Sequence, residues 1–346
     1  MAKDASPARR LLGVVATLGL TALCIWYIVA KIDFGESWRV FSNARITAVV
    51  AALAILVLAV VPLAWRWQRL LEARGIHERL PWLVRAYLVS YTASQVLPTS
   101  LGGDATRILE TSRRHRGQGG PVAGSILLER GLGGVATLVL GVVGFLLAIG
   151  RYSIGAYIWL ELLMGLGTIL LAVVVFSRRV RRPLRQLEGV LVRLRLAGPL
   201  RGLYLGLHSY RDDTALVLSM LVLTLVVQSF RILAIWLCGE AVGVHLSPLP
   251  YFVMGPMFFL VMLAPFTING FALREAFFVS FLGRLGVGAD AAFATGFLFL
   301  LLALVQSVPG GLVWAAERLG LVELAGPARQ SDEAGAEPGL RERALQ

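Results

Sequence analysis

Apolar positions along the chain gather into runs of about 20 residues, at 11–30, 46–65, 122–149, 155–176, 214–238 and 289–314. A helix of that length spans the hydrocarbon core of a bilayer. Apolar and polar positions do not alternate in ten-residue blocks, so the pattern of a membrane β-barrel is excluded. Two further segments begin like spans and then break. One arrives from Pro81 and dissolves into LPTSLGGDATR at 97–107; the other ends in APFTINGFALRE at 264–275. The pattern predicts an all-α polytopic membrane protein, with about six spanning helices and two re-entrant helical hairpins at 82–112 and 250–283.

Composition removes the soluble alternatives. The chain is 57% hydrophobic and 16% charged, more apolar than a water-soluble fold of 346 residues requires. Cys24 and Cys238 lie far apart inside apolar segments, and His77, His115, His208 and His245 are scattered, so neither a disulfide framework nor a metal site is expected. No cofactor is expected either. The net charge of +12 does not signal nucleic acid, because the basic residues flank apolar segments. Lys3, Arg9 and Arg10 precede Leu11–Ala30 in the outline of a signal peptide, but the apolar part is too long and no cleavage site follows. It reads as an uncleaved first span.

Charge then orients the spans. With the N-terminus inside, 31–45 forms an outer loop and 66–80 an inner one. The segment 177–213, which carries nine arginines from Arg178 to Arg211, belongs inside by the positive-inside rule. Arg113, Arg114, His115 and Arg116 also stay inside if the chain turns back at LPTSLGG rather than crossing. On this topology 23 of 33 Lys and Arg are cytoplasmic, five are outside, and Arg85, Arg107, Arg130, Arg231 and Arg274 lie within membrane segments.

The two breaks are also related to each other. Pro98 matches Pro265, Gly103 matches Gly270 and Arg107 matches Arg274, all at one offset of 167 residues. The same offset carries 46–65 onto 213–232 and 125–147 onto 292–314. Each half then has three crossings plus one re-entrant hairpin, and an odd number of crossings inverts one half relative to the other. The expected division is a first repeat at 1–153, a second at 154–316 that includes the basic linker 177–213, and a cytoplasmic tail at 317–346 that is disordered at least from Arg329. In such inverted repeats a substrate sits near the midplane, where broken helices meet.

Residue chemistry at the breaks suits an anion. Pro98 and Pro265 end the incoming limbs, and Gly102, Gly103 and Gly270 permit tight turns. Thr99, Ser100 and Thr267 add hydroxyls, while Asp104 and Asn269 are suited to capping the returning half-helices. Helix N-termini carry unpaired N–H groups and partial positive charge. Arg107 and Arg274 add full charges one turn in, at a cost of at least about 2.5 kcal/mol within a membrane, which calls for a partner or a ligand. Guanidinium matches phosphate bidentately, so a lipid phosphate is one candidate. The other is that these arginines pair with Glu110, Glu129 or Glu275 and lock the hairpins. Glu129 and Arg130, adjacent in SILLERGLGG, point about 100° apart on a helix and cannot both face one partner. Gln228 and Arg231 are weaker candidates. Leu184, Leu187, Leu191 and Leu194, interleaved with Arg185, Arg193 and Arg195, fit either an amphipathic helix on an anionic leaflet or a charged linker between the halves.

LPTSLGGDATR, then SILLERGLGG, then PFTINGFALREA resemble the membrane region of lysylphosphatidylglycerol synthases, over about residues 10–315. The resemblance implies a bacterial or archaeal plasma-membrane protein, flippase-like, with two re-entrant elements; the charge-derived topology places both termini in the cytoplasm. It implies a lipid site shaped by Pro98, Gly102, Gly103, Asp104, Arg107, Glu129, Arg130, Asn269, Gly270, Arg274 and Glu275. The family's second motif commonly reads NGxGxRE, and here Ala272 stands in place of its second glycine. The aminoacyl-transferase domain of those synthases is absent, so lipid modification does not carry over. The leading expectation is a translocator of an anionic or phosphate-bearing phospholipid, not an enzyme. The alternatives are an intramembrane enzyme on a lipid-linked substrate and a non-transporting partner of a separate lipid-modifying enzyme.

Overall fold

The computed structural model describes residues 34–96, 102–148, 213–262 and 272–319, together with Leu166 and Tyr210. All regular structure within them is helical. The expected spans at 11–30 and 155–176, the segment 184–204 and the tail from Arg329 lie outside the described residues. So do Pro98, Thr99 and Ser100 of the first tip, and Pro265, Thr267, Asn269 and Gly270 of the second.

A short helix α1 (Phe34–Ser42) replaces the expected outer loop. It is followed by α2 (Ile46–Leu58) and α3 (Val60–Glu72), which join into one 27-residue span, Ile46–Glu72. The seam at Ala59 has a local cause: Pro62 has no N–H to donate to the carbonyl of Leu58. The span was expected to stop at residue 65, and it does not. Ala64, Trp67, Leu70 and Leu71 are buried at helical spacing, so one apolar face continues beneath the arginines.

The first hairpin is α4 (Leu80–Val96) and α5 (Gly102–Arg114). Its incoming limb is described over 17 residues, about 25 Å at 1.5 Å per residue. The limbs run antiparallel. Gly103 lies so close to Ser90 and Ser94 that a Cβ would overlap them. Further along, Glu110 accepts from Arg85 Nη1 at 2.7 Å, and Arg114 Nε donates to Glu78 Oε1 at 2.6 Å. His115 Nε2 lies 3.0 Å from the same Glu78 oxygen. The basic cluster at 113–116 therefore returns to the loop that precedes α4, as the turn-back reading requires.

The remaining helices are α6 (Gly119–Ala148), α7 (Thr214–Ala241), α8 (Leu249–Val261), α9 (Leu273–Gly283) and α10 (Ala289–Arg318). Four helices among the described residues are long and apolar enough to cross a membrane: Ile46–Glu72, α6, α7 and α10. Their outward faces are apolar as well. Leu218, Val222, Val226 and Phe230 form an exposed stripe on α7, and Val139, Val142, Val143, Leu146 and Leu147 another on α6. In water such stripes would be a liability; against lipid they are the expected surface. The chain is a multi-pass membrane protein.

The 167-residue offset carries α2–α3 onto α7, α4 onto α8, α5 onto α9 and α6 onto α10 within a few residues. Packing between the halves is reciprocal: α4 lies along α10, and α8 lies along α6. Each crossing has its own glycine. Gly144 of α6 sits against the Phe252 carbonyl, and Gly310 of α10 sits against that of Leu88. Such an exchange of equivalent contacts is what a two-fold axis between the halves generates.

Candidate functional site

Charged side chains buried in an apolar bundle must be matched or they destabilise it. The best-matched group lies at the start of the returning limb of the first hairpin. Glu129, 4% exposed on α6, is its centre. Its Oε1 accepts from Tyr87 Oη at 2.7 Å and from Arg66 Nε at 3.2 Å, with Arg66 Nη2 at 3.1 Å. Its Oε2 accepts from Arg107 Nη1 at 2.9 Å.

Arg107 then reaches on. Its Nη2 donates to Asp104 Oδ1 at 2.8 Å, and the other Asp104 oxygen accepts from Arg130. The Arg107 guanidinium lies over the rings of Tyr87 and Trp67, with centroids at 4.2 and 4.8 Å, a placement in which ring and cation attract. Trp67 is fixed in turn, donating through Nε1 to Ser125 Oγ at 3.0 Å. Arg66 Nη1 donates to Thr224 Oγ1 on α7 at 2.8 Å, so the network reaches from the first half into the second.

The result is a continuous chain, Arg66–Glu129–Arg107–Asp104–Arg130. Three guanidinium groups alternate with two carboxylates along it. Arg107 is 5% exposed, and its Nε has no hydrogen-bond partner. Asp104 lies in the first turn of α5 and spends its carboxylate on two arginines rather than on a cap. Glu129 and Arg130, although adjacent, face different partners, as their angular separation requires.

Of the residues singled out from the sequence, the fold thus brings Asp104, Arg107, Glu129 and Arg130 together, with Gly102 and Gly103 at the start of the same limb. Glu110 does not join them. It shares Arg85 with Glu317 at the end of α10, where Arg85 Nε donates to Glu317 Oε1 at 2.6 Å. Arg274 and Glu275 stand apart on α9, in the other half. Gln228 donates to Thr137 Oγ1 at 3.0 Å and accepts from Arg231 at 3.2 Å, a polar contact between α6 and α7. Arg66, Tyr87 and Trp67 were missed. The repeat held the clue to Arg66, because shifting the span at 214–238 back by 167 residues ends it at 71.

A family model described as the lysylphosphatidylglycerol synthase TM region matches residues 11–310. No curated protein matches the chain.

Proposed function

Because the chain belongs to the lysylphosphatidylglycerol synthase TM region family, we propose that it is a lipid translocase that passes an anionic or phosphate-bearing headgroup between leaflets. The path runs through a midplane site between the two hairpins, in an inverted repeat with both termini in the cytoplasm of a bacterial or archaeal cell. The observation that carries this reading is the buried Arg107 network, which gathers guanidinium groups at the start of the returning limb and leaves Arg107 Nε without a hydrogen-bond partner. A bundle that needed only stability would be served as well by apolar packing, since replacing buried ion pairs by well-packed apolar groups is often neutral or stabilising. A polar path for a headgroup requires the charge to be there.

Each part has a separate task. Glu129 orients Arg66 and Arg107 and prevents their charges from repelling one another. Tyr87 and Trp67 hold the Arg107 guanidinium over their ring faces. Its Nε, which has no partner, is left for a phosphate oxygen. The apolar stripes on α6 and α7 supply a surface along which acyl chains stay in the bilayer while the headgroup moves.

Reconstitution tests the reading. Sealed vesicles containing the chain and labelled phosphatidylglycerol should exchange label between leaflets faster than protein-free vesicles, and an Arg107→Ala, Arg274→Ala double variant should lose the gain. Exchange no faster than in protein-free vesicles would remove the translocase. Lipid product formed in detergent, without a sealed bilayer, would favour an intramembrane enzyme instead.

A further inference from the structure

The two halves agree at the arginine and differ at everything it touches. Shifting Arg107's partners, and Arg66 on the far side of Glu129, by 167 residues gives Phe271 for Asp104, Gly296 for Glu129, Met254 for Tyr87, Ala234 for Trp67 and Leu233 for Arg66. Arg274 keeps the charge of Arg107 and none of its matching groups. Where Glu129 would be, Gly296 packs against the ring of Phe278.

The rest of α9 is apolar. Phe277 and Phe278 pack with Phe258 of α8, ring centroids 6.2 and 5.3 Å away, and Phe281 stacks on Phe277. On the same helix, Nε and Nη1 of Arg274 are buried with no hydrogen-bond partner, and so are both carboxylate oxygens of Glu275. Glu275 is 3% exposed. Four orphaned polar atoms on two adjacent side chains are far from the ordinary state of a protein interior, where such atoms are paired. Leaving charged groups unpaired is costly. The two charges attract each other and the Glu275 carboxylate faces the backbone N–H groups of Ala272 and Glu275, yet neighbours on a helix diverge by about 100° and neither head hydrogen-bonds another side chain.

Unpaired donors on Arg274 call for an acceptor, and unpaired acceptors on Glu275 call for a donor. We infer that Arg274 and Glu275 form a second headgroup site, which takes a lipid phosphodiester on Arg274 and a hydroxyl or ammonium donor of the same headgroup on Glu275. The inference deepens the translocase reading and rests on it for the lipid, but not for the chemistry of the pair. Glu275 becomes a specificity residue: it favours headgroups that can donate and leaves those that cannot with an unmatched carboxylate. Choline headgroups have the phosphodiester and no donor; glycerol and ethanolamine headgroups have both.

Native mass spectrometry of the purified chain in detergent, with phosphatidylglycerol, phosphatidylethanolamine and phosphatidylcholine as probes, reads this directly. The wild type should bind the first two about tenfold more tightly than the third, the scale set by a hydrogen bond to a charged group. Glu275→Gln should shrink that preference, and Arg274→Gln should weaken all three lipids together. Equal binding of the three lipids by the wild type would overturn the site. So would a Glu275→Gln chain that melts at lower temperature yet keeps the preference, since that marks a purely structural carboxylate. A chain that shows the preference but exchanges no lipid between leaflets keeps the site and removes only the translocase.

Discussion

Glu129 is the residue on which the first site depends. It accepts from Arg66, Arg107 and Tyr87, so removing it leaves two buried guanidinium groups facing each other without compensation. Glu129→Ala is expected to destabilise the chain by about 3–5 kcal/mol, the usual cost of deleting one partner of a buried ion pair. Glu129→Gln, which keeps the shape and an acceptor, should cost less. Thermal unfolding in detergent by tryptophan fluorescence gives the comparison, and equal melting of wild type and Glu129→Ala would refute the role. A second residue carries strain of a different kind. Ala272, with φ of 63°, is the one non-glycine residue of positive φ among the described residues, at the position where the family commonly has glycine. An L side chain in left-handed backbone costs about 1–2 kcal/mol, partly offset by the chain entropy that glycine brings to the unfolded state. Ala272→Gly should therefore raise stability, by about 0.5 kcal/mol, and a lower melting temperature would show that the Cβ contacts outweigh the strain.

At the scale of elements, glycines decide how closely the halves approach. Gly144 and Gly310 lie inside long helices, where alanine would ordinarily be better by about 1 kcal/mol. A Cβ on either would overlap backbone of the crossing helix, whereas one on Gly133 of α6 meets nothing. Gly144→Ala and Gly310→Ala should both lower the melting temperature, and Gly133→Ala should raise it. Stabilisation in all three would show that the crossings are looser than described. The apolar runs announced α6, α7 and α10 to within a few residues, and the first break announced the turn-back from α4 to α5, because length and proline–glycine punctuation are local signals. What sequence reading lost was the second half of the first span. Arg66, Arg69 and Arg74 looked like a loop, since Glu129, which neutralises Arg66, and Thr224, which accepts from it, lie 63 and 158 positions away. Of the site, Asp104, Arg107, Glu129 and Arg130 were legible from their cost inside a membrane. The aromatic residues that hold Arg107 were not, because Trp67 and Tyr87 look the same in sequence whether they fill a core or clamp a cation.

On the scale of the whole molecule, the halves are alike in outline and unlike in charge. Reciprocal packing of α4 on α10 and α8 on α6 gives the frame, the Arg107 network closes one hairpin, and the Arg274–Glu275 pair leaves the other unsatisfied. Arg85 ties the frame together at one end by holding Glu110 of α5 and Glu317 of α10 at once. Arg85→Gln should free the last turn of α10, visible as faster amide exchange at 312–319 with little change at the Glu129 network; unchanged exchange would mean the clamp holds nothing. The central claim is that buried positive charge serves an anionic headgroup, and leaflet exchange in sealed vesicles tests it with two labelled lipids, phosphatidylglycerol and phosphatidylcholine, in three chains. The wild type and Arg85→Gln, which removes a charge outside the network, should both favour the anionic lipid. Arg107→Gln should lose that preference by about tenfold or more. Equal rates for the two lipids in the wild type, or a preference that survives Arg107→Gln intact, would contradict the account.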